Sequence, residues 1–155
     1  MRVFIRDATA ADAAAIAALS GEFVAFLRAL GDTEIQPLDA GTYLVDGFGP
    51  HPAFSGLLAE RDERVAGYLL YHPGYDMDHG RWVLYVVDFF VTESARRRGI
   101  GRALMEAAAE VCRRQGGSEL IWCVWEANRG AMAFYERLGA RYVQELRYRH
   151  WPVRR

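Results

Sequence analysis

The chain has 155 residues, close to one domain by the rule of roughly 100 to 200 residues per domain, and its 52% hydrophobic content can fill one core, which excludes a disordered tail protein. Lys plus Arg is 19 against Asp plus Glu at 20, a formal charge of −1, so no global field favours polyanions and no nucleic-acid partner is expected. Cys112 and Cys123 fall in apolar stretches without CxxC spacing and read as reduced core thiols of a cytoplasmic protein. No apolar run is seen to approach the ~20 residues of a membrane span, and no membrane partner is expected. Residues 1–155 are read as a single domain.

Val3, Phe4 and Ile5 form a short run that stops at Arg6-Asp7 and predicts a first strand. Thr9 and Asp12 have the spacing of a capping box, with Asp in place of the usual Glu or Gln. Ile16, Leu19, Phe23, Phe26, Leu27 and Leu30 then recur at helical spacing up to Gly31, which predicts one long helix with a break at Ser20-Gly21 left open. Residues 36–54, punctuated by Pro37, Gly41, Gly47, Gly49, Pro50 and Pro52, admit only a short helix around 38–45 and read as the wall of a substrate site. Apolar runs at 57–59 and 65–71 flank the charged turn Arg61-Asp62-Glu63-Arg64 and predict an antiparallel hairpin. Residues 82–91 are aromatic and β-branched at both parities, which marks a central strand covered on both faces, with Asp88 as its single acid. A glycine-bearing loop over 96–101 leads into a helix over 103–115, closed by Gly116-Gly117. A strand over 120–124, a helix capped by Asn128 and ended by Gly139, and two closing strands around Tyr142 and Tyr148 complete the chain. The order β-α-α-β-β-β-α-β-α-β-β is an α+β fold with a mixed central sheet flanked by helices.

From Val91 to Ala103 a strand, a glycine loop and a helix start follow one another. Amides at a helix N-terminus point outward together and favour a phosphate, and glycine lets it approach without a Cβ in the way. The third glycine of a dinucleotide fingerprint is Leu104 here, and no Gly-Lys-Ser/Thr follows, so neither rival phosphate motif fits. Arg96, Arg97 and Arg98 read as a solvated turn or as partners of a pyrophosphate. His51, His72, His79 and His150 are dispersed, so no metal site is expected, although His79 could share in a proton relay. Asp76 and Asp78 read as loop acids able to attract one amino group.

Arg96, Gly99 and Gly101 meet the Arg/Gln-x-x-Gly-x-Gly/Ala motif of the GNAT superfamily of acetyl-CoA-dependent N-acetyltransferases, which the chain resembles from its first strand to its last. The segments Asp46-Gly47-Phe48-Gly49-Pro50-His51-Pro52, Asp88-Phe89-Phe90-Val91 and Asn128 through Phe134-Tyr135-Glu136-Arg137-Leu138-Gly139-Ala140 resemble its diamine (spermidine/spermine) acetyltransferase branch. The resemblance implies a GNAT-like fold, acetyl-CoA as co-substrate, and direct acetyl transfer to the primary amine of a small molecule. It implies that backbone groups of Phe90 and Val91 pair with the pantetheine arm. Arg96, Arg97, Arg98, Gly99, Ile100, Gly101 and Arg102 would then cradle the pyrophosphate, and Asn128 would touch the pantetheine or only cap its helix. Tyr135 would lie at the leaving sulfur as the acid that protonates it. A homodimer packed through the late strands is also implied, with Tyr142, Tyr148 and Trp151 offering aromatic surface.

An alkylamine with a pKa near ~10.4 must lose a proton before it attacks a thioester. The branch carries a glutamate, proposed as the base, just before the Asp-Phe-Phe-Val segment; Val87 stands there in this chain. Strand alternation puts Val87 and Asp88 on opposite faces unless a bulge intervenes. A carboxylate in an apolar strand must be bonded to donors or face the cleft, so Asp88 is a catalytic candidate with a structural anchor as the alternative. Ordered water with Tyr135 as acid is the expected route. The rival reading is a coenzyme A-binding module with weak or no catalysis. A long polyamine is not expected, because Ala25-Phe26-Leu27-Arg28-Ala29-Leu30 carries one positive charge where the polyamine enzymes carry several acids.

Overall fold

A five-stranded sheet in the order β1-β2-β3-β4-β5 carries the first part of the chain, in a computed structural model that describes residues 3–143, 149 and 151–153. Val3–Asp7 (β1), Ser55–Arg61 (β2), Arg64–Asp76 (β3) and Arg81–Val91 (β4) pair antiparallel in succession, and Glu119–Ile121 (β5) joins β4 in parallel. With helices Ala13–Ala29 (α1), Ala40–Phe48 (α2) and Ile100–Arg114 (α3), they form one compact unit, Met1–Cys123. A second unit, Val124–Arg155, contains the helix Arg129–Leu138 (α4).

One face of the sheet buries Leu58, Tyr68, Leu70 and Phe90 against Ile16 and Leu19 of α1 and Tyr43 of α2. α3 packs on β2, β3 and β4 and buries Ile100, Leu104, Ala108 and Val111, the face its apolar spacing foretold. The β2–β3 hairpin turns at Asp62 and Glu63 with φ of 50° and 60°, so both central residues of a two-residue turn sit in the left-handed region without a glycine. Gly67 is required by close approach rather than by φ: a Cβ there would lie 2.8 Å from the Phe90 carbonyl oxygen.

Several elements differ from expectation. α1 runs unbroken through Ser20-Gly21, and the Ser20 hydroxyl accepts a bond from the Leu38 amide at 2.8 Å. The stretch Ala10–Ala29 is, contrary to expectation, apolar enough by length and composition to cross a membrane, although Asp12, Glu22 and Arg28 interrupt its apolar run. In the fold it is a core helix whose Ile16, Leu19, Val24 and Leu27 are buried. The middle strand is β3, while β4 lies between β3 and a β5 of only three residues. α3 begins at Ile100 rather than 103, because Gly99 at φ 80° ends the loop directly before it. Residues 141–143 form no strand, so the closing strand expected at Tyr142 is not there; the one expected at Tyr148 lies outside the described residues. Cys112 is buried as expected, but Cys123 is exposed.

β1, the start of α1 and β2 are joined by one ion cluster. Arg6 donates to both oxygens of Asp12, at 2.7 and 2.9 Å, and its Nε donates to Glu60 at 2.7 Å. Asp12 also accepts from the amide and hydroxyl of Thr9, completing the capping turn with the shorter acid. The Arg6 guanidinium, with Thr9 assisting, holds the Asp12 carboxyl at about 2 instead of 3.8. A depressed pKa contributes stability that is complete above the unfolded value and is lost as pH falls toward the folded one. Asp12→Asn should therefore lower the unfolding free energy at neutral pH by about 1–3 kcal/mol. In urea titrations the gap to the parent protein should close between about pH 4 and about pH 2.

Candidate active site

β4 carries one residue more than β3 across the middle of their ladder. Leu70 opposes Asp88 and Tyr71 opposes Val86, which leaves Val87 inserted between them, 48% exposed. This β-bulge resets the alternation: Val86 shares the face of Tyr71, whereas Asp88 shares the face of Leu70 and Tyr68. The simple expectation of opposite faces for successive residues fails here for that reason.

Asp88 is held on that face by two donors. The Tyr68 hydroxyl donates to Oδ2 at 2.6 Å and the Phe89 amide to Oδ1 at 3.0 Å. Burial pushes the Asp88 carboxyl above its usual range, against the lowering effect of the two bonds. Burial and the adjacent carboxylate likewise push the Tyr68 phenol far up, so it remains a donor. Ser20 bonds the Tyr68 oxygen in turn, and through the Leu38 amide a buried polar string runs from the α1–α2 connection to β4.

At the far end of β4 the chain enters a 3-10 turn, Glu93–Ala95, then Arg96-Arg97-Arg98-Gly99 and α3. Arg97 and Gly99 adopt φ of 59° and 80°, and Gly99 provides no side-chain cap, so the first turn of α3 opens on backbone alone. Open space lies where a Gly99 Cβ would stand. Such a backbone-lined helix start suits a diphosphate. The Arg96 side chain is engaged within the fold: its Nε donates to the Val91 carbonyl at 3.0 Å, and its guanidinium lies 4.9 Å from the Phe26 ring centre and 5.4 Å from that of Phe90. β5 pairs only with Val83–Tyr85, so beyond Tyr85 no described strand covers that edge of β4. The Thr92 amide donates to Ala66, so by ladder alternation Phe90 exchanges its bonds with Tyr68, while the backbone of Phe89 and Val91 faces the other edge, where the Phe89 amide is taken by Asp88 Oδ1. The Val91 amide thus faces that edge, and Phe90 contributes its ring, stacked 5.0 Å from Phe23, to the core.

In the second unit the Asn128 side chain accepts from the Ala131 amide at 3.2 Å and caps α4, which ends at Gly139 in the left-handed conformation. Tyr135 lies on this helix, partly buried, its ring 5.3 Å from that of Phe134.

Residues 23–140 match the Acetyltransferase (GNAT) family. The chain belongs to the GNAT acetyltransferase family. It is 31% identical over 151 residues to a thialysine N-epsilon-acetyltransferase of Bos taurus, covering 92% of this chain and 86% of that protein. It is 35% identical over 86 residues to the L-ornithine N5-acetyltransferase NATA1 of Arabidopsis thaliana, covering 56% of this chain but only 38% of that one. An integron cassette protein from the mobile metagenome of V. cholerae shares the fold, with a TM-score of 0.78 at 24% identity over 99% of this chain and 94% of that one. These likenesses make the chain an N-acetyltransferase and agree with the diamine branch seen in its motifs.

The fold of this acetyltransferase gathers Asp88, Phe90, Val91 and residues 96–102 along one strand and the helix that follows it. The loop acid Asp76 is already engaged, by His79 at 2.7 Å and Arg81 at 3.3 Å, which also occupies His79, the proton-relay candidate. Two residues went unnoticed in the sequence: Tyr68, the partner of Asp88, and Glu22 of α1, which accepts from the Thr92 hydroxyl at 2.6 Å and the Glu93 amide at 3.3 Å. Spacing alone signals neither, since both bonds cross between distant elements. Among the described residues no group of three His, Cys, Asp or Glu is placed to hold a metal ion.

Tyr68→Phe removes the donor to a buried carboxyl and should lower stability by about 1–3 kcal/mol. Asp88→Asn keeps a hydrogen-bonding group but removes the buried charge. A raised carboxyl pKa contributes stability that is present below the unfolded value and lost as pH rises through the folded one. Thermal unfolding of Asp88→Asn should therefore improve relative to the parent as pH rises from about 4 to about 8.

Proposed function

We propose that this acetyltransferase moves the acetyl group of acetyl-CoA directly to the primary amine of a small molecule. The observation that carries the reading is the run of open β4 edge, left-handed Gly99 and uncapped α3 start on a single stretch of chain. The first offers an extended arm a strand to pair with, through the Val91 amide, and the second a diphosphate a backbone cradle from Arg97 to Arg102. Relatives named for ornithine and thialysine support an amino-acid-like amine as acceptor. The apolar end of α1, Phe26-Leu27-Arg28-Ala29-Leu30, disfavours a long polycation.

The thioester supplies an acyl carbon open to attack by a neutral amine, and sulfur as the leaving atom. Tyr135 is the proposed acid for that sulfur, a role taken from the family likeness, a phenol of ordinary pKa ~10 being suited to donate as the thiolate forms. Asp88, with both oxygens bonded, acts by holding the β4 bulge in place. Working as a homodimer in the cytoplasm is part of the proposal. The family likeness supports the dimer, and the free thiols of Cys112 and Cys123 support the reducing setting.

A screen of small amines with thiol release as readout should find a basic amino acid or short diamine that raises release well above background. Tight acetyl-CoA binding with no active amine favours instead a coenzyme A-binding module, the reading that Val87 motivates. Gly101→Val should weaken coenzyme A binding in calorimetry while the protein stays folded. Tyr135→Phe should lower kcat by about 10²–10⁴ with little change in acetyl-CoA affinity.

A further inference from the structure

His72 shares the face of the sheet that carries Asp88. Along β3 the side chains of Tyr68, Leu70 and His72 alternate onto one face, where Leu70 opposes Asp88 and His72 opposes Tyr85, while Tyr71 and Val86 take the other. Val87 is the residue inserted between these two pairs. Position 87, where the branch carries its glutamate, therefore lies in the bulge between the Leu70–Asp88 and Tyr71–Val86 pairs, adjoining the His72–Tyr85 pair along the ladder.

The His72 ring is held in a defined state. It stacks on the Tyr85 ring with centres 5.2 Å apart and planes at 20°, and its Nδ1 lies 2.9 Å from the Pro73 carbonyl oxygen. A carbonyl only accepts, so Nδ1 carries the hydrogen and the lone pair of the neutral ring is on Nε2. The titratable groups on this face are Tyr68 and Asp76 on β3 and Arg81, Tyr85 and Asp88 on β4, with Tyr43 of α2 packed against its core part; β2 begins at Ser55, opposite Tyr71, and places none beside His72. Both Asp88 oxygens already accept bonds, whereas Nε2 is a lone pair on a partly exposed ring.

We propose that Nε2 of His72 is the general base of the acetyl transfer, taking over from the glutamate that position 87 lacks. The assignment rests on the reading of this site as an amine N-acetyltransferase. The ammonium group gives one proton to Nε2, directly or through one water. The freed nitrogen lone pair forms the C–N bond at the thioester carbonyl carbon. As the C–S bond breaks, its electron pair stays on sulfur, which gains a proton from the acid, while the nitrogen's second proton passes through water to restore the acid. His72 then releases its proton to solvent, so an ammonium and a thioester become an amide, a thiol and one H⁺.

The test compares the parent enzyme with His72→Gln and with His72→Gln/Val87→Glu, on the best amine from the thiol-release screen, across pH. In the parent, kcat/KM should reach a plateau well below the pKa of the amine. In His72→Gln it should fall at neutral pH by about 10²-fold or more and climb tenfold per pH unit toward the pKa of the amine, with acetyl-CoA affinity in calorimetry unchanged. Restoring a carboxylate by Val87→Glu should recover most of the loss and return a plateau at lower pH, a rescue that a merely structural role of His72 would not show. A His72→Gln enzyme that folds, binds acetyl-CoA and keeps the parent plateau overturns the assignment alone. A parent protein that binds acetyl-CoA yet acetylates no amine overturns the functional reading, and the assignment with it.

Discussion

The inserted residue at Val87 is the constraint on which the rest of this site depends. A strand without it would carry Val86, Asp88 and Phe90 on one face. With it, Val86 stays on the α3 side while Asp88 and Phe90 turn to the α1 side, where Tyr68 and Phe23 meet them. The same slip decides that Tyr85 and Asp88 share a face although three residues apart. A bulge is a local fault in a ladder that re-aims the side chains after it, and here it re-aims the strand that leads into the glycine loop.

Much of this architecture was legible in the sequence. Helical spacing in 16–30 and 104–111, the charged turn at 61–64 and the glycines at 99, 116 and 139 mark elements whose local preference and tertiary role agree. The bulge was not legible, because Tyr-Val-Val-Asp-Phe-Phe-Val is apolar at both parities and any register buries something. The role of Arg96 was hidden for a related reason. In the motif it reads as one of three equivalent cations, and only the packing of α1 on β4 supplies the two rings and the carbonyl that claim it. Cys123 misled in the opposite direction, since an apolar neighbourhood in sequence does not bury a residue just past the end of a three-residue strand.

The buried polar string from Leu38 through Ser20 and Tyr68 to Asp88 links the irregular α1–α2 connection to the bulged strand. Its members are satisfied in sequence, so each hydrogen bond orients the next. Glu22 makes a parallel link from α1 to the turn after β4. α1 is thereby tied to both ends of the segment 88–93, and its position and that of the strand are not independent.

The short open edge of β4 also bears on how the protein behaves in a crowded solution. Unpaired strand amides and carbonyls are a template for any extended chain, which is why sheet edges tend to be short, charged or covered. Among the described residues no strand pairs with this edge over residues 86–91, and at its end the Arg96 guanidinium caps the Val91 carbonyl. A charged side chain at the last acceptor of a strand is one of the devices that blunt a sheet edge, and Arg96 stands in that place.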